Sequence, residues 1–235
     1  MTPPATMQSH SRAILFDLDG TLIDTGPDLA AALNRMLRAH GKSPLPYSDI
    51  RPYVSHGSPA LIKLGFKCTP EDPRYDSMRE EFLNLYAENV AAESTLFPGM
   101  DNVLDFLDVE GVPWGIVTNK PGWLTAPLLE ALALDARPQC VVAGDTLPVR
   151  KPDPAPLLHG LAQLGTELPA ELCIYVGDAD RDVEAGKRAG MRTIVARYGY
   201  LLPDDEPHTW QADALVDSAA EVKSAVENLW TSMLA

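Results

Sequence analysis

Residues 13–21 read Ala-Ile-Leu-Phe-Asp-Leu-Asp-Gly-Thr, an apolar run that stops abruptly at two aspartates spaced two apart. A short apolar run bounded by a loop is the pattern of a strand buried on both faces of a parallel sheet. Side chains two apart in an extended chain project to one side, so Asp17 and Asp19 share a pocket while Leu18 turns away. Burying two like charges together is costly unless a cation joins them.

Working outward, similar apolar runs recur at residues 114–117, 140–143, 173–176, 193–196 and, more weakly, 214–216. Helix-like stretches separate them at 100–110, 122–133, 154–164 and 180–189, and a last one closes the chain at 218–233. Strand alternating with helix implies right-handed crossovers and an α/β fold, a doubly wound, Rossmann-like parallel sheet. Ligands of such sheets bind beyond the carboxyl ends of the strands. Residues 27–94 break the alternation, with helical spacing such as Leu29, Leu33, Met36 and Leu37 but no good strand. Pro44, Pro46 and Pro52 interrupt the pattern over 41–53, and it resumes over 60–64 and 78–90. This segment is expected to be a small helical cap inserted after the first strand. The division is then a core of residues 1–25 and 95–235, with 1–12 flexible, and a cap of residues 26–94.

At 235 residues the chain is long enough to bury a proper core, and 46% hydrophobic with 22% charged residues is the balance of a folded protein. The formal net charge of −14 disfavours nucleic acid and anionic lipid as partners. It also repels phosphorylated ligands, so holding one requires local positive charge. The first twelve residues lack a signal-like apolar stretch, and the expectation is a cytoplasmic protein with no membrane partner. Cys68, Cys140 and Cys173 form no Cys-x-x-Cys pair and suit a reducing compartment, with Cys140 and Cys173 read as packing residues.

A second acidic group, Gly177-Asp178-Ala179-Asp180-Arg181-Asp182, follows the fourth strand of the core series. Asp182 stands one turn into a helix, where capping is the ordinary role of an aspartate. Two acidic clusters at strand ends of one sheet nevertheless make an oxygen-rich site suited to a hard cation such as magnesium. Thr118 and Asn119 end another strand and can donate hydrogen bonds to phosphate oxygens. Lys151, in a proline-rich loop, would be a surface charge by default. It gains interest because the acidic site has no other obvious cation.

Asp17-Leu18-Asp19-Gly20-Thr21, then Thr118, then Lys151, then Gly177-Asp178 with Asp182, resemble in this order the signature of the haloacid dehalogenase superfamily. The resemblance covers residues 13–182. It implies that Asp17 is a nucleophile forming an aspartyl phosphate and that Asp19 acts as general acid and then general base. It further implies that Asp17, the Asp19 carbonyl and Asp178 hold Mg²⁺ with Asp182 nearby, and that Thr118, Asn119 and Lys151 bind phosphate. The cofactor expected is Mg²⁺, the partner a small phosphorylated metabolite, and the assembly a monomer or homodimer.

The opening of the chain and the cap are similar to phosphoglycolate phosphatase-type members. Residues 51–58 (RPYVSHGS), and Arg197-Tyr198-Gly199-Tyr200 with Trp210, are closest to the branch acting on N-acetylmuramic acid 6-phosphate. Ser55, His56 and Gly57 are the candidate substrate contacts. Here Ser58-Pro59 follow Gly57 where small Gly-Ala would be expected. Tyr198, Tyr200 and Trp210 are expected to pack on the sheet edge. A phosphosugar mutase, a dehalogenase and a non-catalytic phosphometabolite binder are the alternatives. An acid at Asp19 with a metal site argues against the second, and intact Asp17 and Asp19 against the third.

Overall fold

A computed structural model describes residues 12–165 and 169–233. The expected flexibility of residues 1–12 falls, apart from Arg12, outside that range. Six parallel strands form the central sheet: β1 (Ile14–Phe16), β4 (Trp114–Val117), β5 (Cys140–Val142), β6 (Ile174–Gly177), β7 (Arg192–Ala196) and β8 (Ala214–Val216), in the order β5-β4-β1-β6-β7-β8. Helices α5 (Met100–Glu110), α6 (Gly122–Ala131), α7 (Ala155–Leu164), α8 (Asp180–Arg188) and α9 (Val222–Met233) connect or follow them. The doubly wound α/β fold is therefore present.

Alternation along β1 explains why its run is uniformly apolar. Ile14 and Phe16 enter one buried cluster with Trp114, Ile116 and Val176, while Ala13 and Leu15 enter a second with Val117, Val142 and Leu157. Both faces of the sheet are covered, so neither face tolerates a polar residue until the strand ends. Cys140 and Cys173 are buried free thiols, each pushed up to about 11 by burial, which agrees with packing residues.

The chain leaves β1 and returns on either side of it, β4 on one flank and β6 on the other. Phe16 is in register with both Ile116 and Val176, so all three strands end at one level. This is the switch point of the sheet, where loops diverge and leave a crevice.

Helices α1 (Gly26–Ala39), α2 (Tyr47–Ile50), α3 (Gly57–Phe66) and α4 (Tyr75–Ala87) lie between β1 and α5, and α1 packs on both α3 and α4. The interval read as broken over 41–53 holds α2 and the start of a 3₁₀ turn, Arg51–His56. Pro46 caps α2 and Pro52 opens the 3₁₀ turn, so the prolines divide the segment into short turns without unfolding it. A two-stranded antiparallel ribbon, β2 (Ile23–Asp24) with β3 (Thr95–Leu96), just outside the helical segment, brings its ends together. Two residues per strand are too few to show periodicity. The helix expected over 122–133 ends at Ala131, where Ala133 turns to positive φ, and the one expected from 218 begins with a 3₁₀ turn, Ala219–Glu221. Among the described residues no helix is long and apolar enough to cross a membrane.

Candidate active site

Asp17 leaves β1 with its backbone N–H on the carbonyl of Val176, which fixes the first carboxylate against β6. Its Oδ1 accepts the N–H of Leu18 at 2.8 Å and lies 2.9 Å from Lys151 Nζ. Asp178 and Asp182 join it: each of the three offers one carboxylate oxygen within 4.8 Å of the others, and all three residues are buried. Asp182 Oδ2 accepts the N–H of Ala179 at 3.1 Å and Oδ1 lies 2.8 Å from Lys151 Nζ. Asp182 thus satisfies a backbone N–H at the start of α8 through one oxygen and meets Lys151 through the other.

The fit of this cluster to a divalent cation rests on Asp178. Its Oδ2 accepts Ser55 Oγ at 2.5 Å and the N–H of Tyr200 at 2.9 Å, whereas its Oδ1 is buried without a hydrogen-bond partner among the described residues. Burial, then the charges of Asp182 and Asp17, push Asp178 up to about 7. Burial raises Asp17 as well, against the pull of Lys151. Asp182 is also buried, but Lys151 and Arg181 overcome that cost and hold its carboxyl below the usual range. An all-oxygen set with an orphaned carboxylate oxygen is what a hard cation requires.

Close backbone approach makes the cluster possible. A Cβ on Gly20, whose φ is +85°, would lie 2.1 Å from Asp178 Oδ2. One on Gly199 would lie 2.4 Å from Asp178 Cβ and 2.5 Å from the Gly20 carbonyl oxygen. Asp178 is therefore gripped between two glycines, and any side chain at either would displace it.

Lys151 is fully buried, not a surface charge, and its Nζ donates to the hydroxyl of Tyr175 at 2.7 Å. Asn119 faces the Lys151 backbone, donating from Nδ2 to its carbonyl at 3.0 Å and accepting its N–H on Oδ1 at 3.1 Å. That pair of bonds holds the lysine loop beside the end of β4. Thr118 is buried and lines the cavity with Asn119.

Asp19 stands apart from the three-carboxylate cluster. Its Oδ1 accepts Thr25 Oγ1 at 2.5 Å and Lys120 Nζ at 3.0 Å. Lys120 is buried, yet Asp19 and the Tyr86 hydroxyl keep it charged and raise it above the usual lysine range. Sequence reasoning missed Lys120 and also Arg181, whose guanidinium is 4.0 Å from Asp17 Oδ2 and is held charged by Asp182 and Asp17 against burial. The view that the acidic site lacks cations other than Lys151 is thereby corrected. Both missed residues adjoin motif positions, and that adjacency was the only signal available.

A cavity of about 590 Å³ opens over these groups. Asp17, Asp19, Thr118, Asn119, Lys120 and Arg181 form its floor on the strand-end side. Leu29, Val54, Tyr75, Arg79, Phe82 and Tyr86 line it from the helical segment. Ser55, His56 and Gly57 all line it, with Gly57 opening α3. His56 is half-buried, and burial followed by Arg181 lowers its pKa, so it is neutral near pH 7. Arg79 has no hydrogen bond or ion pair among the described residues, and sequence reasoning passed over it. Tyr198 and Tyr200 do not line the cavity: they donate to the Thr21 carbonyl and to Asp24 Oδ1, bracing the β1 loop and the ribbon rather than only the sheet edge.

Comparison with known proteins places this geometry in context. Residues 14–196 match the family model described as haloacid dehalogenase-like hydrolase. A phosphoglycolate phosphatase of Xanthomonas campestris pv. campestris is 41% identical over 211 residues, covering 90% of this chain and 94% of that one. An N-acetylmuramic acid 6-phosphate phosphatase of Pseudomonas aeruginosa is 38% identical over 211 residues, covering 90% and 92%. The crystal structure of a predicted phosphoglycolate phosphatase from Haemophilus somnus 129PT is similar with a TM-score of 0.79 at 26% identity, covering 93% and 98%.

Proposed function

The chain belongs to the haloacid dehalogenase-like hydrolase family and is a phosphatase, and from that premise we propose how its own residues hydrolyse a phosphomonoester. The observation that carries the proposal is the convergence of Asp17, Asp178 and Asp182 within 4.8 Å at one strand-end level, with Asp19 held separately by Lys120.

Asp17 attacks phosphorus; the Asp17–phosphorus bond forms as the ester oxygen–phosphorus bond breaks, giving an aspartyl phosphate and an alcohol. Asp19 gives its proton to the departing oxygen. It then takes one from the water that attacks the aspartyl phosphate, so that inorganic phosphate leaves and Asp17 is restored. Two carboxyl groups are needed because one is covalently engaged while the other moves protons. Thr118 offers a donor to the phosphate oxygens, while Lys151, whose ammonium faces Asp17, Asp182 and Tyr175, balances the charge of the nucleophile, with Asn119 setting its position. Asp17, the Asp19 carbonyl and Asp178, with Asp182 nearby, would hold Mg²⁺, which when bound would supply the positive charge that lets an anionic nucleophile meet an anionic phosphate. Helices α1 to α4 act as the cap, excluding bulk water and presenting Ser55, His56 and Gly57 to the leaving group.

The leaving group we favour is an acidic sugar, as in N-acetylmuramic acid 6-phosphate, over the two-carbon phosphoglycolate. A cavity of about 590 Å³ with an apolar wall and Arg79, which has no partner among the described residues, suits a large leaving group carrying its own negative charge. The founding experiment is phosphate release from a generic aryl phosphate by the purified protein with magnesium. Asp17→Asn is expected to abolish it with the fold intact, and undiminished turnover by that variant would remove the nucleophile assignment.

A further inference from the structure

The 3₁₀ turn Arg51–His56 reaches from the helical segment to the core at Asp178 and at loop 198–200. Ser55 Oγ donates to Asp178 Oδ2 at 2.5 Å. Arg51 donates from its two terminal nitrogens to the carbonyls of Gly199 and Tyr198, each at 2.9 Å, and its guanidinium lies 5.0 Å from the centre of the Tyr200 ring. The N–H of Tyr200, in that same loop, donates to the same Asp178 Oδ2. Turn and loop are therefore clasped together around one carboxylate.

How the two oxygens of Asp178 are used is informative. Both donors meet Oδ2, and Oδ1 is left buried and, among the described residues, unpartnered. A carboxylate pinned through one oxygen presents the other in a fixed direction, as outer-shell donors do for metal ligands. Ser55 reaches Asp178 across 123 residues of chain and only while the turn is seated on loop 198–200. The direction of this carboxylate thus depends on the seating of the helical segment.

We infer that Ser55 is a positioning residue for the divalent cation, coupling the seating of turn 51–56 to metal affinity through Asp178. The inference rests on the magnesium reading of the carboxylate cluster. Coupling of this kind is reciprocal: whatever factor seating adds to metal affinity, the metal adds to seating. A hydroxyl that merely occupied the place of an absent ion would act with the opposite sign, and its removal would tighten binding.

The test is calorimetric titration of the full chain with magnesium alone. Ser55→Ala is expected to weaken binding about tenfold, the lower end of what outer-shell partners contribute, and Ser55→Thr to recover most of that loss. Arg51→Gln, which keeps the hydroxyl but loosens the seat, is expected to weaken binding in the same direction. Amide exchange over residues 51–56 should slow on adding magnesium to the wild type and not to Ser55→Ala. Unchanged or tighter binding by Ser55→Ala, or exchange indifferent to magnesium in the wild type, overturns the inference and leaves the phosphatase reading standing. A wild type that binds no magnesium at all sinks the metal reading and this inference together.

Discussion

Lys120 Nζ stands 3.0 Å from Asp19 Oδ1 and 3.0 Å from the hydroxyl of Tyr86, so one buried lysine ties the β4 loop to the second carboxylate and to α4. In the proposed mechanism this contact fixes where the proton-transferring carboxyl points. Lys120→Met is expected to lower kcat on an aryl phosphate by about 10², the lower end of what general acid–base catalysis contributes, with little change in KM. Steady-state kinetics check the split, and a change confined to KM would assign Lys120 to binding instead.

The two aspartates of the first motif should fail differently. Asp17→Asn is expected to remove the proposed nucleophile and with it turnover of every substrate. Asp19→Asn is expected to cost ~10²–10⁴ in kcat, and more for an alkyl phosphate than for an aryl phosphate whose leaving oxygen needs less protonation. Equal losses on both leaving groups would contradict the acid role.

Metal removal carries a pH signature. In the metal-free chain Asp178 keeps its proton up to about 7, against an ordinary value of 3.8, so across that window the folded state binds more protons than the unfolded one. Stability contributed by this group therefore falls as pH rises from about 4 to 7. In the proposed site magnesium would bind the deprotonated carboxylates and offset that loss. The rise in Tm on replacing EDTA with magnesium is expected to be larger at pH 8 than at pH 5.5. Thermal denaturation at both values checks this, and an equal or reversed difference would count against the site. EDTA should also stop turnover, magnesium restore it, and Asp178→Asn blunt the restoration.

Arg79 is the proposed determinant of substrate preference. N-acetylmuramic acid 6-phosphate should exceed phosphoglycolate in kcat/KM. Arg79→Gln should raise KM for the acidic sugar phosphate by about tenfold or more, the size of a lost hydrogen bond to a charged group. A kcat/KM order favouring phosphoglycolate would overturn the sugar reading, and an unmoved KM would overturn the role of Arg79.

The strand ends were legible in the chain because a strand covered on both faces must be apolar throughout, and polarity can return only where the sheet stops. That is why Asp17, Thr118 and Asp178 could be located without coordinates, and why their common level then followed from the parallel register of β1, β4 and β6. The ribbon of β2 and β3 was not legible, since two residues carry no period. Nor was the clasp of Arg51 and Ser55 on loop 198–200, which joins side chains to backbone groups far away in sequence.

By itself, the order of apolar runs and aspartates determined the α/β fold, the helical segment after the first strand and the two acidic clusters. These rest on local pattern, where burial on two faces dictates residue type. Only the tertiary structure decided that Lys151 is buried between Asp17 and Asp182, that Lys120 and Arg181 share the charge, and that Asp178 keeps one oxygen unpartnered among the described residues. Electrostatic balance is set by distances of a few ångströms between loops, and no spacing along the chain encodes them.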